Sequence, residues 1–151
     1  MPTPATAAWP LPKSEDEFED IVLDALRIVW NDPHATRHGR RGQAQNGVDV
    51  IGKDLQNAGR VVGAQSKNVH ALTLKEIIAI IAEAETYQPA LAELLVVISG
   101  PRDGRIQQAV HEISQARSNE GKFSVRQLFW DDLTGLLSGR LDLVSKPCRH
   151  T

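Results

Sequence analysis

Cysteine is almost missing from this chain, with Cys148 alone among 151 residues. A single thiol closes no intrachain disulfide and lacks the companions of a zinc cluster, so a disulfide-stapled scaffold and a zinc-ribbon module are both excluded. Long apolar runs are missing as well. The longest, near residues 77–84 and 94–98, fall far short of a membrane span, which needs ~20 residues. The opening MPTPATAAWPLP has no basic stretch followed by a sustained apolar one, so it does not read as a secretion signal, and a cytoplasmic location without membrane contact is expected. Neither G-x-x-x-x-G-K-S/T nor G-x-G-x-x-G occurs, which leaves nucleotide hydrolysis and dinucleotide binding without support inside this chain. G-x-S-x-G is absent too, so Ser99 is no nucleophile elbow.

What is present suits one globular domain: 41% hydrophobic and 24% charged residues exclude wholesale disorder and fibrous classes. We expect that domain over residues 14–144, with a loose arm at 1–13 and a tail at 145–151. The net charge of −2 argues against a general polyanion binder, but the charges are segregated. Residues 14–32 hold seven acids against Arg27, whereas residues 37–75 hold seven bases against Asp49 and Asp54. A local basic surface of that kind fits a phosphate backbone as well as an ordinary solvated face.

Ser14-Glu15-Asp16-Glu17 has the S-x-x-E form of a helix start, and Phe18, Ile21, Val22, Ala25, Ile28 and Val29 then recur at helical spacing up to about Trp30. Glu19 falls at the edge of that apolar face. Residues 34–46 read as a polar loop with room for one short strand. Valine-rich strands are predicted over residues 48–52 and 60–67, with Gln56-Asn57-Ala58-Gly59 as the turn between them. Thr73-Leu74-Lys75-Glu76 opens a second helix that ends before Pro89. Leu94-Leu95-Val96-Val97-Ile98 is continuous rather than alternating, as in a strand covered on both faces. A third helix through Ile113, a strand over 123–129 and a short last helix through Leu137, capped by Asp131 or Asp132, complete an α/β sandwich; residues beyond Ser138 are left open.

The hairpin carries three residues that a buried ribbon would not be expected to hold. Gln65 and Lys67 share one strand face, and the turn brings Asp49 close to them on the neighbouring strand. An acid, an amide and an amine in a sheet covered by helices are costly to desolvate, so they belong at an open sheet end or around an ion. The matching chemistry is metal-assisted phosphodiester hydrolysis. Asp49 supplies a carboxylate, Gln65 an amide oxygen, and Lys67 an ammonium that orients water or stabilises charge on the phosphate.

These residues resemble the PD-(D/E)xK nuclease superfamily, in particular its Mrr-like restriction endonuclease branch. Phe18-Glu19 is similar to the acid of the family's first helix, Gly47-Val48-Asp49 to its metal-binding aspartate motif, and Gln65-Ser66-Lys67 to its variant motif with glutamine in place of glutamate. GRRGQAQNGVDV, PRDGRIQQ and FSVRQLFWDDL further resemble nuclease domains at the N-termini of STAND-type NTPases in bacterial antiphage defence. The resemblance implies a restriction-endonuclease-like three-layer α/β/α sandwich around a central mixed sheet. It implies catalytic Asp49, Gln65, Lys67 and Glu19, and a Mg²⁺ or Mn²⁺ held by Asp49, Gln65 and the Ser66 carbonyl. It also implies DNA as substrate and a fused or associated NTPase or sensor domain. Gln65 is neutral where many relatives carry a second acid. Arg40, Arg41, Gln43 and Gln45, just upstream of the aspartate, are the candidates for DNA contact. No helix-turn-helix or zinc-finger reading head is seen, so low sequence specificity is expected, and cutting both strands calls for a homodimer, a higher oligomer or two successive nicks. The alternatives are a catalytically degraded nucleic-acid-binding or assembly module of the same fold, and a structure-selective nuclease acting on branched DNA or RNA.

Overall fold

Ser14 opens the first helix, α1 (Glu15–Val29), by accepting the Glu17 N–H at 3.0 Å, and Glu15, Asp16 and Glu17 place negative charge at the positive end of the helix dipole. Phe18, Val22, Ala25 and Leu26 form its buried face, and Glu19 is buried with them at 7% exposure. The chain then makes a two-residue strand, β1 (Thr36–Arg37). The structure, a computed structural model, describes residues 10–37 and 47–145.

The ribbon follows as β2 (Val50–Asp54) and β3 (Arg60–Lys67), closed by a turn in which Ala58 and Gly59 take φ of 62° and 66°. The predicted strand over 48–52 is therefore displaced by two residues. Gly47 sits at φ 73°, and the Asp49 carboxylate accepts the Ser66 N–H at 2.7 Å, so the β2–β3 ladder begins only at Val50. A side chain has replaced the backbone carbonyl that would have continued the ladder.

Helix α2 (Leu74–Ala84) has a reciprocal capping box, with Thr73 Oγ1 accepting the Glu76 N–H at 3.1 Å and Glu76 Oε1 accepting the Thr73 N–H at 3.0 Å. Such caps each contribute about 1 kcal/mol. Strand β4 (Glu93–Ile98), helix α3 (Gly104–Asn119, capped by Asp103), strand β5 (Ser124–Leu128) and helix α4 (Trp130–Ser145) complete the order. The last helix differs from the expected one in two ways. Asp132 caps from inside the first turn, its Oδ2 accepting the Phe129 N–H at 2.8 Å, and the helix runs to Ser145 rather than stopping near Leu137. Trp130 and Leu133 anchor its first turn in the core with Phe18, and a nucleated helix extends at little cost even through Gly135 and Gly139.

The sheet order is β1-β2-β3-β4-β5, antiparallel for the first two ladders and parallel for the last two. Leu95 and Val97 join Val62 and Ala64 against α1 and Leu133 of α4, whereas Leu94, Val96 and Ile98 meet Ile77, Ile80 and Ile81 of α2 and Val110 of α3. Helices thus cover both faces of a five-stranded mixed sheet, which accounts for the uninterrupted apolar run of β4. Each such side chain contributes about 1.5–3 kcal/mol when fully buried. Among the described residues no helix is long and apolar enough to cross a membrane.

Because β3, β4 and β5 run parallel, their C-terminal ends meet along one rim, the usual location of ligands in open α/β sheets. Gly100, just after β4, lies so close to His70 that an added Cβ would overlap the His70 carbonyl oxygen. The loop leaving β3 is thereby locked to the loop leaving β4, and Lys67 stands at the end of β3 on this rim.

Candidate active site

The β2–β3 ribbon opens at its Asp49 end. Asp49 Oδ2 accepts both the Ser66 N–H at 2.7 Å and the Ser66 hydroxyl at 3.2 Å. In an extended strand the N–H and C=O of one residue face the same neighbour, so the Ser66 carbonyl opens to the edge that Asp49 occupies. Burial pushes the Asp49 carboxyl above the usual carboxylate range, and the two Ser66 donors, Lys67 and Arg37 oppose that push without cancelling it.

Glu19 reaches the same place from α1. Its carboxyl is also raised, first by burial and next by the charge of Asp49, against the pull of Arg37, whose Nη2 lies 3.2 Å from Glu19 Oε1. Arg37 Nη1 in turn lies 2.9 Å from Asp16 Oδ1 and 3.0 Å from Asp20 Oδ1. A base from the positive segment of the sequence is thus committed to the acids of α1 rather than left for a polyanion.

Lys67 makes no ion pair among the described residues, yet its charge is felt by both Asp49 and Glu76. Gln65 behaves differently. It is 9% exposed, and its Oε1 is buried with no hydrogen-bond partner among the described residues. An orphaned buried acceptor costs about 1–3 kcal/mol. The register of β3 on β4 pairs Gln65 with Val96 and Lys67 with Ile98, which puts both side chains on the α2 face, while Ser66 shares the α1 face with Ala64. No hydrogen bond joins Gln65 to Asp49 or Glu19. Its amide oxygen lies instead beside Gly47 and Glu83.

The structure therefore links Asp49 to Ser66 by hydrogen bonds and to Glu19 and Lys67 by charge, while Gln65 shares the α2 face of β3 with Lys67 and makes no hydrogen bond to Asp49. Arg40, Arg41, Gln43 and Gln45 lie outside the described residues. Two residues that the sequence did not single out lie here: Arg37, one of the seven bases of residues 37–75, and Glu83 on α2. No spacing signal along the chain marks either, because both reach the site across the fold.

A carboxylate, a backbone carbonyl edge and an unsatisfied amide oxygen are hard donors that suit Mg²⁺ or Mn²⁺. Among the described residues no three His, Cys, Asp or Glu side chains are grouped to hold a metal ion. Any ion here would rest on one or two carboxylates, completed by amide or carbonyl oxygen and water, which is common for Mg²⁺. No protein-family model matches this sequence, and no curated protein or solved structure matches it either.

Proposed function

We propose that this chain is a restriction-endonuclease-like domain that hydrolyses DNA phosphodiester bonds with Mg²⁺ or Mn²⁺ and with little sequence preference. The observation that carries the reading is the pair of coupled carboxylates, Asp49 and Glu19, each held above its ordinary range, beside the Lys67 ammonium and the orphaned Gln65 oxygen. Burying acids together without a full complement of cations destabilises a fold, and such sites recur where a ligand supplies the missing charge.

Asp49, Gln65 and the Ser66 carbonyl would hold the ion. When bound, it supplies a Lewis acid for the phosphate oxygens and a more acidic water. Ser66 fixes the Asp49 carboxylate through two hydrogen bonds, so one rotamer is presented to the rim. Arg37 opposes the rise of the Glu19 carboxyl and holds it through Nη2 at 3.2 Å. Lys67 orients the attacking water or stabilises charge on the phosphate as the bond breaks. One such centre cuts one strand, so a double-strand break takes a pair of chains or two successive nicks. An effector role in bacterial antiphage defence, joined to an NTPase or sensor, fits this chemistry and rests on the sequence resemblance alone.

The test is supercoiled plasmid with Mg²⁺ or Mn²⁺, with chelator as control. Wild-type protein is expected to nick or linearise it, and Lys67→Ala to lose at least 100-fold of that rate while keeping DNA affinity. A runner-up, a binding module with a degraded centre, is favoured by the neutrality of Gln65 and by the lack of a three-acid cluster among the described residues. It predicts DNA binding with no metal-dependent cleavage in either protein.

A further inference from the structure

Gly47 lies in the left-handed region at φ 73°, and a Cβ built there would sit 3.2 Å from Gln65 Oε1 and 3.2 Å from Glu83 Cδ. The carboxyl of Glu83 and the orphaned oxygen of Gln65 therefore flank one small volume, kept open because residue 47 has no side chain. Glu83 projects from α2 and makes no ion pair among the described residues. Glu19 is already engaged by Arg37 at 3.2 Å. Gln65 is nine-tenths buried and its oxygen has no donor among the described residues. The Glu83 carboxyl carbon and the Gln65 oxygen both border that volume, and no hydrogen bond to the Gln65 oxygen is made among the described residues.

We infer that Glu83 is a ligand of the divalent cation, supplying from α2 the negative charge that Gln65 lacks on β3. This rests on the proposed metal-dependent function and completes its ligand set. Asp49 lies two residues beyond Gly47 on the same segment, and an ion that Glu83 joined would rest on two carboxylates and an amide oxygen rather than on a single carboxylate. Ligand charge count is a principal determinant of divalent-ion affinity at oxygen sites. The proximity is invisible along the chain, since Glu83 follows Gln65 by a full loop and most of a helix.

The experiment is calorimetric titration of the full chain with Mn²⁺, comparing wild type with Glu83→Gln, Asp49→Asn and Glu112→Gln, an exposed acid on α3. Glu83→Gln should weaken Mn²⁺ binding on the order of tenfold or more, Asp49→Asn likewise, and Glu112→Gln not at all. Moving the charge back into the strand, Gln65→Glu in the Glu83→Gln background, should restore most of the affinity, which loss of a merely structural acid would not allow. If Asp49→Asn weakens binding while Glu83→Gln matches Glu112→Gln, the metal centre stands and Glu83 is no part of it. If Glu83→Gln alone weakens binding, Glu83 is a ligand and the Asp49 centre fails. Absence of Mn²⁺ binding by the wild type overturns both.

Discussion

The two ends of the β2–β3 ribbon treat their acids in opposite ways. At the turn end Asp54 accepts the Gln56 N–H at 3.1 Å and the Asn57 side-chain amide at 2.8 Å, and its backbone carbonyl accepts from Asn57 and Gly59. Every donor near it has a use in closing the turn. At the open end Asp49 has two donors from Ser66 and remains above the ordinary range, Glu19 is raised beside it, and Gln65 Oε1 has no donor among the described residues. The same ribbon thus carries a locally consistent end that specifies the fold and an end whose polar groups lack a full set of partners among the described residues. Glu93 marks the distinction, since burial and Asp54 raise it too, but Arg126 stands 3.5 Å away as a partner within the protein.

The contrast is sharpest in stability. Without metal, Asp49→Asn should stabilise the chain by about 1 kcal/mol, because the amide relieves the repulsion and burial cost of the acid pair. Asp54→Ala should destabilise it by about 0.5–1.5 kcal/mol through the lost turn hydrogen bonds. Urea denaturation of both variants reads the two signs, and equal signs would erase the distinction between the ends.

A smaller effect lies in the pH dependence. A carboxyl raised in the fold binds its proton more tightly there than in the unfolded chain, so the native state holds the extra proton in the window between the two pKa values. Stability of the metal-free protein should therefore fall as pH rises from about 4 through the raised values of Asp49, Glu19 and Glu93, then level off. Asp49→Asn should make that fall shallower by removing one raised group and lowering another, Glu19. Denaturation midpoints across the acid range check this, and an unchanged slope would remove the coupling between the two acids.

Much of the framework was legible in the sequence because its signals are local. Ser14 and Thr73 cap where the S-x-x-E and T-x-x-E patterns put them, and the unbroken run at Leu94 marks a strand covered on both faces. The misses share a cause, which is that tertiary contacts override local pattern. The first strand of the ribbon starts late because a carboxylate takes a ladder donor, and α4 runs long because its first turn is anchored in the core. Within the candidate site, the spacing of Gln65 and Lys67 placed them on one face, as found, but could not reveal that Asp49 is bound to Ser66 rather than meeting Gln65 directly. Arg37 and Glu83 were out of reach for the same reason: β1 and α2 bring them in across the fold rather than along the chain.

The central claim is that the open end of the ribbon is a cation site whose acids are frustrated until it is filled. Thermal denaturation of wild type and Asp49→Asn, each with and without Mn²⁺, tests it directly. The account predicts that the variant melts higher without metal, by about 2–4 °C, and that excess Mn²⁺ raises the wild type past it while moving the variant much less. Equal Mn²⁺ shifts in the two proteins, or none in either, would contradict it.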